Sequence, residues 1–204
     1  RGTFRPRRIM IRPRGVYKNI AITSGLVRFK NKDLYLREVK ATYDGSVINI
    51  DGHLVLQKNF YCSLSMKGIN IPFRKAKDYH GELSPTVTLS GHRDSLKLSG
   101  KLDIITGKYV RKFDIIQKII TIHRFRERSD PIWKHYPWMG KMVLDLSILN
   151  SGDLEVENNI ADLSLDGLLA IKGTLSKPRM TGAVNVNYGT FKIPFLKGTY
   201  EVFD

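Results

Sequence analysis

Two short stretches of this 204-residue chain set carboxylates beside imidazoles, the pairing that general acid–base chemistry uses: Asp51-Gly-His53 and Asp78-Tyr-His80-Gly-Glu82. The other histidines stand at 92, 123 and 135, and no two of the five have the i, i+4 spacing of a helical zinc site. Cys62 is the only cysteine, so no cysteine-rich metal cluster and no internal disulfide can form. Phosphate-binding glycine loops, dinucleotide fingerprints and nucleophile elbows do not occur. Asp51 and His53 also fall on the polar side of an alternating stretch. The residues therefore predict no catalytic site, no metal and no cofactor: the chain does not read as an enzyme.

What the chain does carry is a repeated phrase of alternating apolar residues around an in-register glycine. It occurs as Ile48-Asn-Ile50-Asp-Gly52-His-Leu54-Val-Leu56 and as Leu96-Lys-Leu98-Ser-Gly100-Lys-Leu102-Asp-Ile104. It returns as Leu163-Ser-Leu165-Asp-Gly167-Leu-Leu169-Ala-Ile171 and, more loosely, as Met180-Thr-Gly182-Ala-Val184-Asn-Val186. A period of two makes a strand with one apolar and one polar face. Cys62, Leu64 and Met66 continue the apolar face. The in-register glycines predict either a floor kept clear or relief of twist in a packed sheet.

The elements that carry these residues are strands. Alternation predicts them at Leu26 to Phe29, Leu34 to Val39, Val47 to Leu56, Tyr61 to Ile71, Thr86 to Ser90 and Leu96 to Ile104. They resume at Met142 to Ile148, Leu154 to Glu157, Ala161 to Thr174, Met180 to Asn187, Thr190 to Phe195 and Thr199 to Phe203. Turn residues such as Asn31-Lys-Asp33 and Tyr43-Asp-Gly45-Ser46 separate them. Val110 to Arg128 breaks the pattern: Phe113, Ile116, Ile120 and His123 fall three or four apart among Arg111, Lys112, Lys118, Arg124 and Arg126. That spacing predicts a basic amphipathic helix. Both tryptophans, Trp133 and Trp138, lie in the proline-containing loop that follows.

The net charge of +15 asks for an anionic partner: nucleic acid, a lipid headgroup surface or an acidic protein. No nucleic-acid-binding motif accompanies the charge, so no nucleic acid is expected, although a basic nucleic-acid-binding β domain remains the alternative in that class. No apolar run approaches the ~20 residues of a membrane helix. The chain opens on six arginines within fourteen residues and closes in strand-like register, so it reads as a fragment whose anchor lies elsewhere.

The last fifty residues resemble the TamB C-terminal domain family, part of the wider AsmA-like group of Gram-negative envelope proteins. The resemblance rests on Leu154-Glu-Val-Glu-Asn158-Asn159-Ile-Ala161-Asp162-Leu163 and on Leu165-Asp-Gly167-Leu-Leu169-Ala-Ile-Lys-Gly173-Thr174. It continues through Pro178-Arg-Met-Thr-Gly182-Ala-Val184, Tyr188-Gly189-Thr190-Phe191 and Gly198-Thr-Tyr200-Glu-Val202-Phe203. The resemblance implies an all-β fold, an elongated curved sheet forming a β-taco-like trough with an apolar interior. Four segments are expected: a basic arm (1–15), a β-rich groove segment (16–109), the amphipathic helix and Trp/Pro-rich loop (110–140), and the TamB-like C-terminal β segment (141–204).

By the same resemblance the function is non-enzymatic. It is phospholipid transport between inner and outer membranes, assistance to outer-membrane β-barrel assembly, or both. The implied partners are phospholipid acyl chains and the outer-membrane barrel TamA. The implied location is the periplasmic part of an inner-membrane-anchored protein. The lipid-groove residues would be Ile48, Ile50, Leu54, Leu56, Leu64, Met66, Leu96, Leu98, Leu102, Ile104, Leu144, Leu146, Leu163, Leu165, Leu169, Ile171, Val184 and Val186. Arg111, Lys112, Lys118, Arg124 and Arg126 would contact an anionic membrane surface or the partner. A structural or client-binding chaperone module, its groove plugged by its own helix, is the second expectation.

Overall fold

A computed structural model describes residues 2–12, 18–57, 60–75, 78–112, 136–193 and 198–203. The strands are β1 (Gly2–Phe4), β2 (Ile9–Ile11), β3 (Ile20–Lys30), β4 (Asp33–Tyr43), β5 (Ser46–Val55), β6 (Tyr61–Gly68) and β7 (Ile71–Lys75). They continue with β8 (Tyr79–His92), β9 (Lys97–Tyr109), β10 (Val143–Glu157), β11 (Ala161–Thr174), β12 (Lys177–Phe191) and β13 (Tyr200–Phe203). All thirteen join one open, curved, trough-like sheet, as the alternation and the family resemblance predict. The order runs β1-β3-β4-β5-β6-β8-β9-β10-β11-β12-β13, with β2 beside β3 and β7 beside β8. Every pairing is antiparallel except β9 with β10, which run parallel.

Turn chemistry closes the hairpins. Asp44 and Gly45 both take positive φ (50° and 87°), the two-residue turn whose twist matches flanking strands. At the β10–β11 turn the Asn158 carboxamide oxygen accepts the N–H groups of Ile160 and Ala161, both at 2.9 Å. The basic arm enters as the short edge strands β1 and β2. Several strands outrun their sequence signals: β9 continues to Tyr109, and β10 and β12 each unite two predicted pieces. The one helical turn among the described residues, α1 (Pro137–Gly140), carries Trp138. The predicted 110–128 helix falls mostly on residues outside the described ones. Its first residues, 110–112, are not helical, and the Val110 N–H donates to the Asp78 carbonyl at 3.0 Å.

The core is thin. Among the described residues the buried hydrophobics are Val39, Ala41, Ile48, Cys62, Leu96, Leu144 and Leu146, and no polar or charged residue is buried. Most other residues of the apolar face are half-covered, and no second layer packs on them among the described residues.

Candidate lipid-binding trough

Cross-strand register turns the alternating phrases into continuous apolar rows. Val39, Ile50, Met66, Val87, Gly100, Leu146, Ile171 and Met180 stand opposite one another on β4, β5, β6, β8, β9, β10, β11 and β12. The neighbouring row is Leu36, Gly52, Leu64, Leu89, Leu98, Leu144, Gly173 and Pro178. At the ~4.8 Å spacing of adjacent strands, each row runs about 34 Å. Between them in sequence lies a polar row on the opposite face: Asp51, Ser65, Thr88, Ser99, Asp145, Lys172 and Arg179. The sheet thus separates a greasy inner face from a polar outer face over eight strands.

All eighteen predicted groove residues fall on the inner face. Ile48, Leu96, Leu144 and Leu146 are packed away among the buried core. Ile50, Leu54, Leu64, Met66, Leu98, Leu102, Ile104, Leu163, Leu165, Leu169 and Ile171 are half-buried. Leu56, Val184 and Val186 are exposed, the first at a strand end and the others on β12. Val39, Ala41, Val87, Leu89, Ile148 and Leu154, not among the expected groove residues, stand on the same face in register with them.

The glycines have a different role from clearing the floor. Gly100 sits at φ +140°, and a Cβ there would lie 2.2 Å from the Thr86 carbonyl oxygen and 2.7 Å from the Val87 Cα. Gly182, at φ +136°, would meet the Leu168 carbonyl oxygen at 2.1 Å. Such a Cβ strikes the backbone of the adjacent strand, so glycine here permits the backbone bend and close strand approach.

In the carboxylate–imidazole stretches, Asp51, His53 and Asp78 make contacts within the sheet. The Asp51 carboxylate accepts the Glu38 N–H at 2.7 Å, at a β4 bulge where Glu38 takes φ 48°. His53 stacks on Tyr35, ring centroids 4.4 Å apart and 9° from parallel, and its Nε2 has no hydrogen-bond partner among the described residues. Asp78 lies 3.8 Å from Arg111, and no carboxylate–imidazole hydrogen bond forms among the described residues. Nor do these residues hold a metal-ligating cluster or a helix long and apolar enough to cross a membrane.

Charge on the outer face is partly paired. Lys108 bridges Glu155 and Glu157, whose carboxylates hold its ammonium pKa above the usual lysine range. Lys97 lies 2.6 Å from Asp145 and keeps that carboxyl below its ordinary range. Burial pushes the Cys62 thiol up; its Sγ faces the Leu89 carbonyl oxygen at 3.7 Å. Of the predicted headgroup contacts, Arg111 and Lys112 are exposed, while Lys118, Arg124 and Arg126 lie outside the described residues.

An open β-sheet that keeps one face apolar across so many strands defines a trough protein, not a closed sandwich or barrel. Residues 37–200 match the model of the TamB C-terminal domain, and the chain belongs to that family. It is a TamB-type envelope protein. Neither a curated protein nor a solved structure matches the chain.

Proposed function

We propose that this chain is a non-enzymatic length of lipid conduit, holding phospholipid acyl chains against the inner face as they move between inner and outer membranes. The observation behind this reading is the continuity of the apolar rows through eight strands. A row without a polar interruption lets a chain slide with little change in contact, each methylene withdrawn from water being worth ~0.8 kcal/mol. The protein would then work in the periplasm, tethered to the inner membrane. Native mass spectrometry with lipid identification tests it. Co-purified phospholipid is expected, and it is lost when Leu98→Asp and Leu165→Asp place charge in the rows of a still-folded protein. A lipid-free protein, or variants that retain lipid, would refute the conduit.

A second reading, assistance to outer-membrane barrel assembly with TamA, draws on a separate observation. β13 pairs only with Tyr188–Phe191, so the outer edge of β12 from Lys177 to Asn187 has no neighbouring strand among the described residues. Such an edge can receive a client strand by β-augmentation.

A further inference from the structure

The strand ends fall into two rows along opposite margins of the sheet, and the two margins differ in charge. One holds the turns at 44–45, 69–70 and 158–160. Ion pairs gather there, Lys18 with Asp44, Lys108 with Glu155 and Glu157, and Arg111 with Asp78, while Lys67, Arg74 and Lys112 stand exposed without an ion pair among the described residues. The other margin holds the turns at 31–32, 93–95 and 175–176 together with α1. It carries Lys30, Lys32, Arg93, Lys141, Lys177 and Arg179, all exposed and none in an ion pair among the described residues. Three carboxylates share this margin, Asp33, Asp94 and Asp145, the last already held by Lys97, so the cations outnumber them.

The outer face just behind this margin is shaped as well as charged. Leu26, Arg28, Lys30, Tyr35 and Arg37 line a concavity of about 150 Å³. An aromatic ladder extends from it across the strands: Tyr35 stacks on His53, His53 lies 6.4 Å from Tyr61, and Tyr61 lies 5.3 Å from His92. On the inner face of the same margin, Phe29 and Leu56 are about half exposed. Unpaired cations around tyrosines, with apolar side chains at the same edge, match the layering of a bilayer surface, where phosphates lie outside acyl chains.

We propose that this margin docks on an anionic phospholipid bilayer, with headgroup phosphates engaging Arg28, Lys30 and Arg37 in the concavity and the remaining cations along the edge. This places the membrane contact on the turn margin, away from Arg111, which Asp78 already partners. The proposal stands independently of what occupies the trough.

Flotation with phosphatidylcholine vesicles, with and without phosphatidylglycerol, at low and high salt, tests it. Binding is expected only to the anionic vesicles and to weaken with salt. The triple variant Lys30→Gln/Lys32→Gln/Arg93→Gln should lose affinity about a hundredfold, each charge near the surface contributing a factor of about five. The triple variant Lys40→Gln/Lys67→Gln/Arg74→Gln lowers net charge equally but elsewhere, and should bind nearly as wild type. All six side chains are exposed, so both variants are expected to fold, which circular dichroism checks. Leu98→Asp, which perturbs the trough, should leave vesicle binding intact. Equal losses in the two triple variants would overturn the proposal, as would equal binding to neutral vesicles. No vesicle binding at all would also overturn it and leave an acidic protein surface as the partner of this margin.

Discussion

Replacing Gly100 by alanine tests what the repeated glycine phrase is for. The added methyl would sit 2.2 Å from the Thr86 carbonyl oxygen and 2.7 Å from the Val87 Cα, and neither backbone atom can swing aside as a flexible side chain would. The residue must also keep φ near +140°, which costs an L-amino acid roughly 1–3 kcal/mol, and forced overpacking costs a similar amount. A loss of about 4 kcal/mol is expected. For a chain of this length the unfolding entropy makes that a fall of about 9 °C in Tm. Gly167 is the comparison, since it occupies the same place in its phrase without positive φ. Its Cβ would lie 3.0 Å from the Ala183 carbonyl oxygen and 3.2 Å from a Val184 methyl. Gly167→Ala should shift Tm by no more than about 2 °C, the reduced freedom of the unfolded chain offsetting the tight contact. Thermal unfolding followed by circular dichroism reads both. If Gly100→Ala melts with wild type yet loses bound lipid, the glycine keeps the floor clear and the strand-approach argument fails.

Cys62 should resist alkylation in the folded protein at mildly alkaline pH and react fully in denaturant, because burial both raises its thiol pKa and hides the sulfur. Rapid labelling of the native chain, read by intact mass, would contradict its place in the core. The Asp145 carboxyl should return to the ordinary carboxylate range in Lys97→Met, measured by NMR titration. Because its folded pKa is depressed, its contribution to stability is present above the ordinary value of 3.8 and fades as pH falls through the folded one. An unchanged Asp145 titration in Lys97→Met would place the cause elsewhere.

Which residues face inward was legible in the sequence, because a period of two survives any choice of partner strand. Strand length was not. Asn150-Ser-Gly-Asp153 separates two predicted strands, yet β10 runs through it as a bulge. The Asn150 carboxamide donates to the Leu165 carbonyl at 3.1 Å, and the Ser151 hydroxyl donates to Asp103 at 2.5 Å. The Asn150 amide and the Ser151 hydroxyl thus find acceptors on neighbouring strands, which local patterning cannot see. The parallel pairing of β9 with β10 was equally hidden, since it joins Leu98 to Leu144 across a long intervening connection. The outer-face aromatic ladder escaped notice for the same reason: Tyr35, His53, Tyr61 and His92 are neighbours only once four strands are in register.

The two proposed occupants of this trough make opposite demands on β12. Along a single row, exposure rises from 9% at Leu146 to 65% at Met180 two strands away, so the wall of the trough is least covered where the strand edge is also open. An acyl chain laid along the row would cover the Met180 and Val184 side chains but could not accept hydrogen bonds from the β12 backbone. A client strand would do both. Backbone hydrogen exchange therefore separates them: amides of Lys177 to Asn187 that face the open edge should exchange as fast with lipid bound as without it, while lipid shields the side chains from oxidative or carbene labelling. A client strand should slow those amides at least tenfold, because each becomes part of a ladder that must open before exchange. Slowed edge amides in a lipid-loaded protein without any added strand would refute the assignment of the acyl chain to the inner face, since nothing lying on that face reaches the edge donors.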